Sequence, residues 1–546
     1  MFKLKHLSVT FTLLVGVTAE FVVLERRDNP PPGFSRLGPP AEDDILSLRL
    51  ALPSRNILGL HDAVYEISTP GNIRYGQYLT RDEIAQFVAP APETVSKVTS
   101  WLSNNNLTAV PITPASEWIT VNMMVSQANA LLAANFSTFR NDETNQTVLR
   151  TLSYSIPSTL KTSIDWVHPT TSFPEATGSI PPTFVNKTSA PIAGLLRVSR
   201  SFMEFRPLRP KKTANVFGVS GFDNASANKQ DLQTFLQVYR PDMNPNTTFD
   251  SISVDGGVNN PAGADVFSAP EIQYAVGLTT GVQVTFILTG NLSNDLRTEM
   301  LDQATHLLSL ENPPQTILNT AGFVESGLTP EIANSLCNVY AQLAARGVSY
   351  IVETGGFGAG VDCRSFDPPF PASCPFVTAV GATEFDNDEP AETAYIGSGG
   401  GFSNFFSRPR YQDTAVSAYL KATNNVHNTA FNVSGRAVPD VSAISSVPFI
   451  ALQEIFDNSK STAYSAAIFA SIVSLLTNER ISAGKSPLGF LNPLIYANPS
   501  AFSDVKTGSN TLQCGIPAFN ATSGWDAVTG FGSPSYPKLK EILDKV

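Results

Sequence analysis

Histidine and cysteine are the side chains that most often hold metal ions or carry nucleophilic catalysis, and this chain has five histidines and four cysteines. No Cys-x-x-Cys pair occurs and no histidine neighbours a cysteine, so a zinc site is not indicated. The histidines are scattered, so a histidine-based metal or catalytic site is not indicated either. Four cysteines suit two disulfide bonds, with three possible connectivities. These residues are His6, His61, His168, His306 and His427, and Cys337, Cys363, Cys374 and Cys514.

The composition limits the partners of the chain. Its net charge is −11, which argues against a nucleic acid or another phosphate-bearing partner, because such partners need basic surfaces. Apolar residues make up 42% and charged residues 15% of the chain, which is enough for a large buried core without a membrane-like composition. A length of 546 residues predicts two or three structural units.

The first 19 residues have the pattern of a secretory signal peptide. Lys3 and Lys5 precede an apolar run, Leu7–Val17, that is too short to span a bilayer, and the following small residues predict cleavage after Ala19. No later segment reaches about 20 uninterrupted apolar residues, so we expect a secreted, extracellular protein without a membrane partner. Nine Asn-x-Ser/Thr sequons fit a glycosylated protein of this kind. They begin at Asn106, Asn135, Asn145, Asn186, Asn224, Asn246, Asn291, Asn432 and Asn520.

The part of the chain after the signal begins with a mixed α/β unit, residues 20–168. Its periodicity predicts helices over Asp82–Val88 and Pro92–Leu102 and a strand over Trp118–Val121. The segment Pro169–Pro191 is rich in Pro, Thr and Ser, has almost no charge and shows no periodicity, so it is predicted to be a linker.

Short apolar runs alternate with helical segments over residues 192–546. Buried apolar strands that alternate with helices indicate a parallel α/β sheet. The segment Ile468–Ala483, followed by Gly484, predicts a helix with one buried face and a glycine at its end. The apolar runs are Val216–Val219, Val282–Leu288, Thr316–Leu318, Val348–Val352 and Phe376–Val380, and the helical segments are Glu271–Val276, Leu296–Leu310 and Pro330–Ala345.

Ordered sequence blocks occur in both units. In the first unit they are Arg74–Leu79 and Ile164–Thr171; in the second they are Phe370–Pro375, Val380–Thr383, Gly400–Asn404, Gly435–Ser442, Leu488–Pro493 and Gly524–Gly530. Together they resemble the sedolisin family, the serine-carboxyl peptidases that include the fungal tripeptidyl-peptidases. The resemblance implies an antiparallel α/β propeptide, or activation domain, over 20–168. It also implies a subtilisin-like doubly wound domain with a mainly parallel sheet over 192–546, in a protein expected to be monomeric.

The family's catalytic positions are substituted in this chain. Its nucleophilic serine, in a Gly-Thr-Ser-Ala-Ser-x-Pro segment that opens a helix, corresponds to Ala463, and a methyl group cannot attack a carbonyl carbon. Its two carboxylates, four residues apart on one helix face, correspond to Phe267 and Glu271, so the general base is lost and the orienting acid is lengthened. Its oxyanion-stabilising Asp corresponds to Gly356. The resemblance therefore implies a peptidase fold in which no catalytic set is intact.

Nearby groups offer only displaced substitutes. Ser461 and Ser465 lie two residues from Ala463, and two residues correspond to roughly 200° of rotation on a helix, so Ser465 is expected to face elsewhere. Asp265, two residues before Phe267, is the obvious carboxylate near the lost base, although the resemblance does not indicate where its side chain lies. Glu271 is also the kind of residue that a helix N-terminus favours in its own right.

The resemblance further implies one structural calcium ion near the C-terminus. Asp504 and Asp526 would be side-chain ligands, and Val505 and Gly524 would contribute carbonyl oxygens, with Thr522 as a less certain carbonyl ligand. Two carboxylates with main-chain oxygens suit a hard cation that takes six or more oxygen ligands. The alternative is that these aspartates only cap turns.

Three functions remain open from the sequence. The first is a secreted sedolisin homologue without peptidase activity that binds peptides, unfolded protein or a partner, and the alternative is an active acidic peptidase with relocated groups that releases short peptides. The third is a storage or surface glycoprotein that uses the fold only as a scaffold. Because the nucleophile is missing, we expect the propeptide to stay attached unless another protease cuts the linker.

Overall fold

The structure is a computed structural model, and it describes most of the chain after residue 19. The predicted signal peptide, Phe267, Asp265, Cys363 and Cys514 lie outside the described residues, as do sequons Asn186 and Asn291. The described ranges are 20–174, 214–263, 268–290, 295–360, 366–385, 391–423, 431–451, 454–511 and 519–546.

The first unit contains small antiparallel sheets and four α-helices. Its helices are α1 (Ile57–Ser68), α2 (Arg81–Val88), α3 (Pro92–Asn104) and α4 (Val125–Leu131). Its strands are β1 (Phe21–Arg26), β2 (Phe34–Gly38), β3 (Ile45–Ala51), β4 (Val110–Pro111), β5 (Trp118–Met124), β6 (Ser137–Asn141), β7 (Thr147–Arg150), β8 (Ser153–Pro157) and β9 (Trp166–His168). The strands order as β4-β5-β3-β9, β2-β6-β7 and β1-β8, and all these pairings are antiparallel.

Local sequence signals explain the boundaries of these helices. Thr80 and Glu83 form a capping box at the start of α2, in which each side chain bonds to the other's backbone N–H. Pro92 opens α3, where its missing N–H costs nothing. The first residues of the predicted linker, 169–174, are packed rather than free, and Phe173 (3% exposed) lies against Phe139.

The second unit is a larger α/β domain. Its helices are α5 (Lys229–Tyr239), α6 (Ser268–Leu278), α7 (Leu296–Ser309), α8 (Pro330–Ala345), α9 (Asp413–Ala422), α10 (Thr462–Ser482), α11 (Asn492–Ala497) and α12 (Tyr536–Asp544). Its longer strands are β10 (Val216–Gly221), β11 (Asp250–Val254), β12 (Gln283–Thr289), β13 (Thr316–Asn319), β15 (Ser349–Glu353), β17 (Thr378–Phe385), β19 (Gly401–Ser407), β20 (Gly435–Val438), β21 (Val441–Ile444), β22 (Ser446–Ala451) and β23 (Glu454–Lys460). Five short strands complete it: β14 (Phe323–Val324), β16 (Pro369–Phe370), β18 (Glu392–Ala394), β24 (Phe502–Ser503) and β25 (Ser533–Pro534).

Eight strands of this unit form one sheet. They order as β11-β12-β10-β13-β15-β17-β18, with β21 also paired to β17, and every pairing is parallel except β17 with β18. The crossing connections carry helices to both faces, as expected for a doubly wound sheet. The predicted fold class, a mainly parallel α/β sheet preceded by an antiparallel α/β unit, is confirmed.

Successive residues of a strand pack into two separate apolar cores, one on each face of the sheet. Leu318 and Ile351 pack into the core on the face that carries α5, α6 and α10. Ile317 and Val352, their neighbours in the chain, pack into the core on the opposite face, which carries α7 and α8. This alternation follows from the two-residue repeat of a strand.

The helix α10 differs from its prediction. It begins at Thr462, six residues before the predicted start, and nearly all of it is buried, including Ser471 and Ser474. The prediction of one buried face is wrong because α10 packs against both the central sheet and α6, so its small polar residues lie in the interior. Gly484, with a φ of 75°, follows the helix end as expected.

The two units share one apolar core. Leu60, Val64 and Ile67 of α1 are buried in the same cluster as residues of α8 and of the parallel sheet. Tyr78 packs between two glycines of the second unit, since a Cβ at Gly347 or Gly489 would lie within 2.5 Å of its side chain. The Tyr78 hydroxyl donates to the carbonyl groups of Pro487 and Leu488, at 3.1 and 2.7 Å.

Ion pairs also connect the two units. Their acidic partners lie in α7 or at its N-cap. The Arg49 guanidinium donates two hydrogen bonds to Asp302, at 2.8 and 2.6 Å. Arg150 donates to Asp295, the N-cap residue of α7, at 3.0 Å, and both side chains are at most 3% exposed. Burial lowers the pKa of His168 to about 3, so this imidazole is neutral despite its proximity to Asp295.

One disulfide bond lies in the described part of the chain. Cys337 in α8 is bonded to Cys374, and both are buried. This bond excludes the two connectivities in which Cys337 pairs with another cysteine, and Cys363 and Cys514 lie outside the described residues. Among the helices that the structure describes, none combines the length and apolar composition needed to cross a bilayer.

Candidate functional site

The helix α10 begins at the carboxyl end of the parallel sheet, where the sequence places the lost nucleophile. Ser461 is the N-cap residue, and its hydroxyl oxygen accepts a hydrogen bond from the N–H of Ala463 at 3.2 Å. Ala463 is 8% exposed. A methyl group therefore occupies the first turn of a helix whose N-terminus would otherwise support an attacking hydroxyl.

Neither nearby serine takes over this position. The Ser461 hydroxyl caps the helix. Ser465 is completely buried, and its hydroxyl has no hydrogen-bond partner within the described residues. The expectation that Ser465 faces away from the site agrees with its burial, so a bound substrate cannot reach it in this conformation.

Glu271 lies on the neighbouring helix α6, which packs against α10. It is 4% exposed and lies in the first turn of a helix whose residues are all buried. The hydroxyl of Ser471 in α10 bonds to the carbonyl group of Tyr274 at 3.4 Å, which joins the two helices. The structure thus keeps a carboxyl group in α6, while Phe267 and Asp265, just before this helix, lie outside the described residues.

Gly356 lies in the loop that follows β15 and is half-buried. Its neighbour Gly355 has a φ of 69°, and the Gly355 carbonyl accepts a hydrogen bond from the N–H of Gly399 at 3.0 Å. A side chain at Gly399 would lie 1.7 Å from the carbonyl oxygen of Thr354, so the two backbones are in direct contact. The loop keeps a tight, glycine-dependent path but carries no acid at position 356.

A carboxyl–hydroxyl pair occupies the same region, and sequence reasoning missed it. Glu353, the last residue of β15, accepts a hydrogen bond from the hydroxyl of Thr462 at 2.5 Å. Glu353 is three residues before Gly356, and Thr462 immediately precedes Ala463. The bond therefore brings the two substituted positions to one place. The available signal was an acidic residue directly after the apolar run Val348–Val352.

The two members of this pair differ in exposure. Thr462 is 1% exposed, whereas Glu353 is half-buried. Burial raises the pKa of Glu353 to about 7, although the hydrogen bond from Thr462 lowers it. Oε2 of Glu353 is held by Thr462, and Oε1 accepts no hydrogen bond from the described residues. At neutral or acidic pH this group can therefore act as a hydrogen-bond donor.

The predicted calcium ligands surround a short segment before Asp526. Asp526 is fully buried, and its two oxygens accept hydrogen bonds from the N–H groups of Thr522, Val528 and Thr529 at 2.8 to 3.0 Å. Asp504 is partly exposed, accepts a bond from the Gly524 N–H at 3.1 Å, and lies 3.7 Å from the Lys506 ammonium group.

Several oxygens near these carboxylates accept no hydrogen bond from the described residues. Within the described residues, no group donates a hydrogen bond to the carbonyl oxygens of Val505, Thr522 or Gly524. The Thr522 hydroxyl is buried and also has no partner there. No group of three acidic, histidine or cysteine side chains occurs at this place or elsewhere in the described residues. Any ion here would therefore rely on main-chain oxygens, as the sequence comparison implies.

A parallel α/β sheet with a buried helix starting at its carboxyl end, preceded by a docked antiparallel unit, is a subtilisin-like fold with an additional N-terminal domain. The sequence profile of the Pro-kumamolisin activation domain matches residues 32–173. Tripeptidyl-peptidase SED2 of Arthroderma otae is 32% identical over 574 residues, covering 95% of this chain and 96% of that protein. Probable tripeptidyl-peptidase SED3 of Trichophyton verrucosum is 32% identical over 592 residues, covering 98% of both.

These matches run the length of the chain, which belongs to the sedolisin family. Among solved structures, a Pseudomonas sedolisin, a serine-carboxyl proteinase, superposes with a TM-score of 0.49 and 22% identity, covering 62% of this chain and 94% of that one. The two tripeptidyl-peptidase relatives confirm, at the level of the family, the resemblance inferred from the sequence blocks.

Proposed function

We propose that this chain is a secreted sedolisin-family protein without peptidase activity, which uses the fold to bind peptides or unfolded protein. The observation that carries the proposal is the methyl group of Ala463 in the first turn of α10. A nucleophile must be an oxygen, sulfur or nitrogen with an adjacent base, and a methyl group supplies neither a lone pair nor a proton to transfer.

The other substitutions support the same conclusion. Gly356 has no acid for a developing oxyanion, and loss of one oxyanion donor alone costs roughly 10²–10³ in rate. Its relatives are named tripeptidyl-peptidases. The family resemblance implies that such activity uses a serine, two carboxylates and an oxyanion acid, at positions that correspond here to Ala463, Phe267, Glu271 and Gly356.

The intact two-unit chain is proposed to be the functional form. The linker would be cut in active relatives by their own activity, which this chain lacks. The shared apolar core of α1 and α8 and the ion pair Arg49–Asp302 support a first unit that stays docked. Exposure of six sequon asparagines supports glycosylation of a secreted protein. These are Asn106, Asn135, Asn145, Asn224, Asn246 and Asn520.

One calcium ion is proposed as a structural cofactor. Asp504 and Asp526 would hold it together with the carbonyl oxygens of Val505, Gly524 and Thr522. The ion would neutralise the two carboxylates and link the loop after β24 to the segment before Asp526. It has no part in the proposed binding.

Peptide cleavage and peptide binding are tested on the same purified protein. The intact chain, after treatment at acidic pH, is incubated with unfolded peptides, and the products are followed by mass spectrometry. Titration calorimetry then measures binding of the uncleaved peptides to the protein and to A463W, whose indole would fill the site. Binding that A463W abolishes, without cleavage, is expected; cleavage that follows the protein through every purification step would refute the proposal.

One observation favours a second candidate, an acidic peptidase with relocated groups. The Thr462 hydroxyl bonded to the Glu353 carboxylate is a hydroxyl–base pair adjacent to the lost nucleophile. Its weakness is the 1% exposure of Thr462, which leaves no access for a peptide carbonyl carbon. Labelling of Thr462 by a fluorophosphonate, absent in T462V, would support this candidate, and the absence of any labelled threonine or serine would reject it.

A further inference from the structure

Glu353 is a half-buried carboxyl group beside the start of α10. We propose that the Glu353 carboxyl group, held by Thr462, donates a hydrogen bond to a carbonyl oxygen of a peptide bound at the start of α10. The inference rests on the proposed peptide-binding function and names the residue that would recognise the peptide backbone.

The geometry provides one fixed oxygen and one open oxygen. Thr462 donates to Oε2 of Glu353 at 2.5 Å, which orients the carboxyl plane and leaves Oε1 for the proton. Glu353 is half-buried, so a ligand can reach it, whereas Thr462 is buried and acts as a positioning residue. A protonated carboxyl group is a strong donor to a peptide carbonyl, because little solvent competes for it in a half-buried site.

Among the described residues, none is a cationic partner of Glu353. β15 packs against β13, β17, α8 and α10. The charged residues on those elements do not act on the Glu353 pKa, for which only burial and the Thr462 hydrogen bond are causes. These charged residues are Glu331 on α8, Glu384 on β17, and Glu479 and Arg480 on α10. A lone carboxyl group in this setting keeps its proton at mildly acidic pH.

One further polar atom next to Glu353 lacks a partner within the described residues. The Thr354 hydroxyl is buried and has no partner there. Buried hydroxyl groups without partners are uncommon, and one on the residue that follows Glu353 is expected where a ligand completes the hydrogen bonding.

Titration calorimetry with a defined probe tests the proposal. The probe is an unstructured decapeptide without ionisable side chains, amidated at its C-terminus and used with the N-terminus either free or acetylated. Only the protonated carboxyl group donates, so the intact wild-type chain is expected to bind about tenfold more weakly at pH 8 than at pH 5. E353Q, which keeps a donor at every pH, is expected to bind equally at both.

Two more variants separate donation from packing. E353A is expected to lose about tenfold in affinity at pH 5, because one hydrogen bond in a desolvated site is removed. T462V keeps the shape of the threonine but removes its hydrogen bond, so the pH midpoint of binding should move upward. Thermal unfolding of each variant checks that the fold is retained.

These measurements test the role of Glu353 separately from the proposed peptide-binding function. Binding that is independent of pH in the wild type, or unchanged in E353A, would overturn the role of Glu353 while leaving the proposed function intact. Failure of the wild type to bind either probe at either pH would contradict the proposed function and this inference together.

Discussion

The buried carboxyl group of Glu299 should make the stability of this protein depend on pH, and one substitution should remove that dependence. Glu299 is 1% exposed and lies in α7, the helix whose first turns meet the docked unit. Its Oε2 accepts a hydrogen bond from the N–H of Asp223 at 2.7 Å. Burial raises the pKa of Glu299 from 4.5 to about 8, and the acidic neighbours Asp223 and Asp295 add to the increase.

The direction of the pH effect depends on how many protons the folded and unfolded chains bind. Between about pH 4.5 and pH 8 the folded chain holds the Glu299 proton and the unfolded chain does not, so the free energy of unfolding falls as the pH rises. The two pKa values correspond to a loss of about 3 kcal/mol between pH 5 and pH 8, which is an upper limit for one group. For a chain of this size that corresponds to about 3 °C in Tm.

E299Q keeps the side-chain shape and an oxygen that can accept from Asp223, but it has no proton to lose. We expect E299Q to be near the wild type in stability at pH 5 and more stable by up to about 3 kcal/mol at pH 8. Denaturant unfolding followed by tryptophan fluorescence at pH 5, 6, 7 and 8 measures this difference. E541Q, a change at an exposed carboxylate, serves as the control. A difference between wild type and E299Q that stays constant over this range would refute the reasoning.

Four further outcomes follow from the same structure. A463S alone should restore no cleavage of unfolded peptides in a mass-spectrometric assay, because position 356 still lacks an acid; measurable turnover would show that Glu353 or Glu271 acts as the base. R150M should lower the free energy of unfolding by about 3 kcal/mol, because the buried Asp295 loses the shorter of its two arginine ion pairs and keeps only that with Arg297, and R150K, which keeps a positive charge, should lose less. Calcium at 100 times its Kd should stabilise the wild type by about 2.7 kcal/mol in thermal unfolding, and D504N should lose this response while E541Q keeps it. Thiol titration of the denatured, unreduced protein should find no free cysteine, because Cys363 and Cys514 are the two left to form a second bond; two reactive thiols would contradict this.

Much of the fold was accessible from the sequence because it depends on local patterns. The apolar run Thr316–Leu318 became the strand β13, and the helix predicted over Pro330–Ala345 has those bounds in the structure. Both have strong periodicity and clear terminal signals, such as a proline at the first helical position. The start of α10 was missed because its first turns are rich in Ala, Ser and Thr, whose pattern does not distinguish a fully buried helix from a loop.

The missed parts of the site depend on contacts between distant residues. The bond between Glu353 and Thr462 joins positions 109 residues apart, and the pair Arg49–Asp302 joins positions 253 apart. No local pattern links such residues, because their approach is set by strand order and by helix packing. Ala463 and Gly356 were predicted as site positions because adjoining sequence blocks fixed their places, not because any property of alanine or glycine marks a site.

The contacts between the two units divide into those that hold them together and those that fix their orientation. Separation would return Arg49 and Asp302 to water, and the hydration recovered would offset most of the lost ion-pair energy. Leu60 and Val64 gain no favourable hydration on separation. Transfer of a buried apolar side chain into water is unfavourable by roughly 1.5–3 kcal/mol. The apolar core of α1 and α8 therefore provides the affinity between the units, and the buried charges select one arrangement, since a displaced unit would leave them buried and unpaired.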